Sequence, residues 1–204
     1  MTTASQELGE RFEQNLVIAA PPARVFECFF APEALRAWWQ AVRSVTTPSP
    51  FGVYAIEWAT TPYRDDLLGP LGGVFHGTVV DVKLGQQFLV ADSWWIPPEG
   101  DPVGPMVLQV NCQPDPTGCR LNVRQDGCDP SPRWRRYYAV ASRGWQISLT
   151  ALKRYAESGA GVERRKGPPD RRQETRSTSE QETRSTPAPA PEPRPGAPIW
   201  PVDD

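Results

Sequence analysis

From Trp134 to Ala156 the apolar side chains Trp134, Tyr138, Ala141, Trp145, Leu149 (or Ser148), Leu152 and Ala156 recur at steps of three and four. That period belongs to a helix with one buried stripe. A stripe running for about six turns needs a broad apolar surface to lie on. Ser131-Pro132 provides an N-cap followed by a proline at the first helical position, and Gly159-Ala160-Gly161 provides a stop. Gly144 lies inside the helix at a cost of roughly 1 kcal/mol relative to alanine, so it marks either a kink or a close approach.

The preceding residues supply the surface. Residues 12–19 read as a strand bounded by Pro21-Pro22, which cannot continue a ladder. Helical spacing then follows: Val25, Phe26, Phe29 and Phe30 share one face, and a second short helix runs from Pro32 to Trp39. Strand-like runs come next at Val53–Trp58, Val74–Val82 and Gln87–Ile96. Met106–Gln113 and Cys119–Gln125 flank a Pro/Gly turn. Short strands at meander spacing predict an antiparallel sheet, and the fold class expected is α+β.

Composition divides the chain once. Residues 161–204 hold 9 of the 24 prolines, a single aromatic (Trp200) and the tandem copy Gln173–Thr178/Gln181–Thr186. Such a segment buries too little apolar surface to offset ordering entropy, so a disordered Pro/Arg/Glu-rich tail is expected. The Pro-rich stretch and the isolated Ile199-Trp200-Pro201-Val202 make it a candidate contact for a protein partner. Residues 1–9 are expected to be a flexible N-terminus and residues 10–160 the folded domain, which holds seven of the eight tryptophans. Neither part carries excess positive charge, which argues against a nucleic-acid binder. With no apolar run long enough to span a membrane and no apolar core near the N-terminus, a cytoplasmic protein is expected.

Four cysteines, Cys28, Cys112, Cys119 and Cys128, form no CxxC and match no zinc spacing, so no metal site is expected. Cys112 and Cys119 flank the predicted turn and can face each other across the hairpin. The plainer expectation is that they are small buried strand residues.

Four motifs in order carry a family resemblance. The run Ile18–Trp39 has a proline-bounded strand, a helix, a Pro-Glu turn and a tryptophan pair. Gly73–Val82 and Leu89–Trp94 follow as a central hairpin, and Gly144-Trp145 through Leu152 closes the series. This pattern resembles START/Bet v1-like proteins of the Hsp90-ATPase-activator-homologue type, over roughly residues 10–158. The resemblance implies a helix-grip fold: a curved antiparallel sheet wrapped around the long C-terminal helix, with two short helices after the first strand and an apolar cavity between. The insert Ala59–Gly72 replaces a shorter connection in many members of that pattern, and the tail after residue 161 has no counterpart in it.

The function expected is binding of a small hydrophobic molecule, lipid-like or aromatic, with no cofactor. A polyketide cyclase/aromatase-like enzyme and a chaperone cofactor of the Hsp90-activator kind are the rivals. The expected cavity wall is Trp38, Tyr54, Trp58, Phe75, Val90, Trp94, Trp145 and Leu149, although ordinary core filling accounts for many such side chains. Because adjacent strand residues face opposite ways, only one of Trp94 and Trp95 can point inward. Trp94 is expected there, on the face of Val90 and Asp92. Glu57 and Asp92 are candidate polar groups of the cavity, where burial would raise a carboxyl pKa; a solvent-facing pair is the plainer alternative. His76, the sole histidine, is expected to point outward if Phe75 points inward. Arg133, Arg135, Arg136 and Arg143 crowd a helix N-terminus that disfavours positive charge, so acidic partners within the fold are expected.

Overall fold

The computed structural model describes residues 11–127, 129 and 131–159. The proposed flexible N-terminus, the proposed tail with its Ile199–Val202 segment, and Cys128 lie outside the described residues.

The chain opens with β1 (Arg11–Ile18), which Pro21-Pro22 ends. Two short helices follow, α1 (Pro22–Glu27) and α2 (Pro32–Trp38), each with proline in its first turn. The sheet continues through β2 (Arg43–Thr46), β3 (Val53–Trp58), β6 (Gly73–Lys83), β7 (Gln87–Ile96), β8 (Val103–Asp115) and β9 (Gly118–Gly127). Between β3 and β6 the insert forms the two-residue strands β4 (Arg64–Asp65) and β5 (Gly69–Pro70), which pair as a separate small ribbon. The main sheet has seven strands in the order β1-β9-β8-β7-β6-β3-β2, antiparallel throughout and open at both edges. This is the helix-grip architecture that the sequence predicts. Strand β2 is missed in the sequence because its four residues, Arg43-Ser44-Val45-Thr46, are too few to show alternation. The β8–β9 hairpin closes more tightly than the sequence suggests, with Pro114 still paired to Cys119 and only Pro116 and Thr117 between the strands.

The long helix α3 (Pro132–Glu157) starts where the sequence places it. The Ser131 side chain accepts from the Trp134 amide, and Gly159 takes φ +68° just beyond the end. Every residue of its predicted stripe, Trp134, Tyr138, Ala141, Trp145, Ser148, Leu149, Leu152 and Ala156, is buried. Both ends are tied to other elements. Near the start, Arg136 pairs at 2.5 Å with Asp65 of the insert, the acidic partner that the crowded arginines require. Near the end, the Glu157 carboxylate accepts from the Ala19 amide at 2.8 Å, and Lys153 donates to the Val17 carbonyl.

One aromatic cluster fills the core beneath α1. Phe26, Phe29, Phe30 and Tyr54 surround Phe88, with ring centroids 4.8–5.8 Å from it. Cys28, Cys112 and Cys119 are buried thiols nearby. The neighbouring Cys119 thiol and burial together hold the Cys112 proton on.

Candidate functional site

A second aromatic assembly surrounds a cavity between the sheet and α3. The sheet contributes Trp58 from β3, Phe75 from β6, Trp95 from β7 and Gln125 from β9. Trp39, just past α2, leans over one side, and α3 contributes Tyr137, Ala141, Gly144, Trp145 and Ser148. Positions 137, 141, 144, 145 and 148 recur at helical spacing, so the face that fixes α3 to the sheet is also the cavity wall. The two small residues, Ala141 and Gly144, leave the space open. Gly144 is half-buried while the other nine lining residues are buried, so solvent approaches along Gly144.

Fixed contacts hold the rings. Trp39 stacks on Trp38 at 4.8 Å and meets Trp145 at 4.8 Å and Trp58 at 5.2 Å. Trp95 stacks on Tyr137 at 5.5 Å. Three of the lining indoles donate into the protein: Trp58 to the Trp39 carbonyl, Trp95 to the Gly72 carbonyl, and Trp145 to Gln125 Oε1, all at 2.7–2.8 Å. Gln125 Nε2 in turn donates to the Tyr137 hydroxyl at 2.9 Å and to Met106 Sδ at 3.0 Å. Burial is complete around Tyr137 and pushes its pKa up, so it stays a neutral hydroxyl at physiological pH. No carboxylate, histidine or thiol is among the lining residues.

The cavity brings together three of the side chains expected on its wall, Trp58, Phe75 and Trp145. Trp38, Tyr54, Val90 and Leu149 are buried but belong to the surrounding core. Trp38 packs edge-on against Phe29 and donates to the Cys28 carbonyl, so its neighbour Trp39 reaches the cavity instead.

Trp94 requires a correction. It lies half-buried on the outer face, its indole N–H donating to Asp92 Oδ1 at 3.0 Å, while Trp95 lines the cavity. The cause is a bulge at Ala91-Asp92, where Asp92 adopts φ +47° and the register slips on both neighbouring strands. One extra residue reverses the alternation. Val90, Ser93 and Trp95 therefore face inward, whereas regular pleating would align Val90, Asp92 and Trp94.

The acidic candidates also lie elsewhere. Glu57 is on the outer face, paired with Arg43 at 2.6 Å, and Asp92 is exposed at the bulge. His76 lies outward between its cross-strand neighbours Ala55 and Trp94, as the inward position of Phe75 requires. The polar groups of the cavity are Gln125, Tyr137 and Ser148. Gln125 gives no signal in the sequence beyond being a polar residue on the inward parity of β9. Ser148 was visible only as an interruption of the apolar stripe.

A sheet that grips one long helix around an aromatic-walled internal space defines the helix-grip class of START/Bet v1-like domains. Within that class, residues 19–157 match the family described as Activator of Hsp90 ATPase homolog 1-like protein. The chain belongs to this family. Solved structures agree on the fold. A protein from Chromobacterium violaceum is 23% identical, with 72% of this chain and 97% of that one covered and a TM-score of 0.53. A protein from Mesorhizobium loti is 22% identical (71% and 94% covered, TM-score 0.53), and one from Mycobacterium smegmatis is 14% identical (76% and 92% covered, TM-score 0.53). No curated protein matches the chain.

Proposed function

We propose that this protein binds one small, flat, apolar molecule between the sheet and α3, without chemically altering it. The observation that carries this reading is the wall itself: six aromatic rings around a buried space that holds no group able to exchange a proton near neutral pH. The enzyme reading loses support because its candidates, Glu57, Asp92 and His76, all lie outside the cavity.

The cavity measures about 50 Å3. That is room for a few water molecules, while benzene occupies an apolar cavity of roughly 150 Å3. Binding therefore requires a wall side chain to move. Native mass spectrometry of the freshly purified full chain should show an added mass that is lost on denaturation. Gly144→Leu, which fills the open side, should abolish it. An adduct that survives Gly144→Leu, or none in the unaltered chain, would reject this site.

A second reading is a protein-interaction module of the chaperone-cofactor kind. The exposed apolar residues Val45, Phe51 and Val53 at the β2–β3 edge favour it.

A further inference from the structure

Taking the cavity as a ligand site, we propose that its ligand is a neutral aromatic molecule carrying one hydrogen-bonding oxygen, a phenol or an aromatic ketone, which docks on Ser148. Ser148 is 1% exposed, lies on the cavity wall, and its Oγ has no hydrogen-bond partner. A helical serine or threonine has an easy remedy, donation to the carbonyl four residues earlier. Thr150, on the solvent side of the same helix, uses it, bonding to the Gln146 carbonyl at 2.9 Å. Ser148 does not, and its hydroxyl is left to the interior.

Among the other polar groups of the wall, Gln125 is committed. It gives its amide hydrogens to Tyr137 and Met106 and receives the Trp145 N–H, while Trp58 and Trp95 donate to protein carbonyls. Ser148 is the buried wall hydroxyl with neither its hydrogen nor its oxygen engaged, able to donate to a ketone or accept from a phenol. Neutrality follows from the lining. With no charged side chain on the wall, a carboxylate or ammonium would be buried without a partner, which is strongly unfavourable. The aromatic part matches the chemistry of the wall, six aromatic side chains, once one of them moves aside to enlarge the space.

The test uses the full chain with three probes that share one ring system: naphthalene, 2-naphthol and 2-naphthoate. Quenching of the cavity tryptophans reports binding. The expected order is 2-naphthol tightest, about fivefold over naphthalene as one ordinary hydrogen bond provides, with 2-naphthoate weakest. Ser148→Ala, an alanine in a helix interior, should bring the 2-naphthol/naphthalene ratio below twofold. Ser148→Cys, which is slightly larger and a weaker hydrogen-bonding group, should give an intermediate ratio. A ratio unchanged in Ser148→Ala, or tighter binding of 2-naphthoate than of 2-naphthol, overturns the proposal. Equal binding of naphthalene and 2-naphthol that Gly144→Leu abolishes leaves the cavity standing and overturns the anchor. Binding of none of the three overturns both.

Discussion

Asp65 holds the insert to α3 with a single carboxylate. Its side chain is almost fully buried, accepts from the amides of Leu67 and Leu68 at 2.9 and 3.0 Å, and pairs with Arg136. Burial alone would raise its pKa, but the Leu67 amide, the Arg136 guanidinium and the Leu68 amide together outweigh burial and hold it below the ordinary carboxylate value. A folded pKa below the unfolded value of about 3.9 means that the stability is fully present above that pH and is lost as pH falls through the folded pKa. Asp65→Asn should therefore cost about 1–2 kcal/mol at neutral pH. That lies low in the range for a buried pair because a third of the Arg136 side chain stays in water. Denaturant melts at pH 7 and pH 3 should show the gap between the two proteins closing at the lower pH; a gap of equal size at both would refute the assignment. Asp65 was not legible as a structural residue in the sequence. Only the crowding of arginines at the start of α3 signalled that some acid had to meet them.

The β7 bulge is the element-scale feature on which the cavity depends, because it turns Trp95 rather than Trp94 inward. It is accommodated by a glycine on the neighbouring strand. A Cβ on Gly77 would lie 2.6 Å from Val90 Cγ1 and 2.8 Å from Ser93 Cβ, so β6 carries no side chain where the bulged strand crowds it. Gly77→Ala should destabilise by about 2 kcal/mol, a melting-temperature loss of about 4–8 °C in a domain of this size. An unchanged melting temperature would mean that the bulge is not held by this contact. A glycine inside a strand, as Gly77 is in β6, marks a bend or bulge, but the partner that needs the space lies on β7. A run such as Val90-Ala91-Asp92-Ser93-Trp94-Trp95 reads equally well with either tryptophan inward until the register is known. Helix α3 is the opposite case. Its cap, length and stripe depend on neighbours within one or two turns, and all three were legible.

At the scale of the whole molecule, the helix and sheet leave two surfaces on which a function can rest, the cavity and the β2 edge. The edge is apolar and open to solvent: Phe51 is 86% exposed, Val45 57% and Val53 50%. If the edge serves a chaperone-type ATPase, adding the full chain should raise that ATPase's turnover, and the double variant Val45→Glu/Phe51→Ser should remove the stimulation while naphthalene binding persists. Equal stimulation by both proteins would clear the edge of that role. The sequence by itself determined the order of the longer elements, though not β2 or the small β4–β5 ribbon, the antiparallel class of the sheet and the buried stripe of α3. These follow from periodicity and from proline and glycine, which act on the backbone over a few residues. The tertiary structure alone decided which tryptophan lines the cavity, which acid meets the arginines, and that Gln125, Tyr137 and Ser148 replace Glu57 and Asp92 as its polar groups. Those outcomes turn on strand register and on contacts between residues as far apart as 65 and 136, which no local pattern encodes.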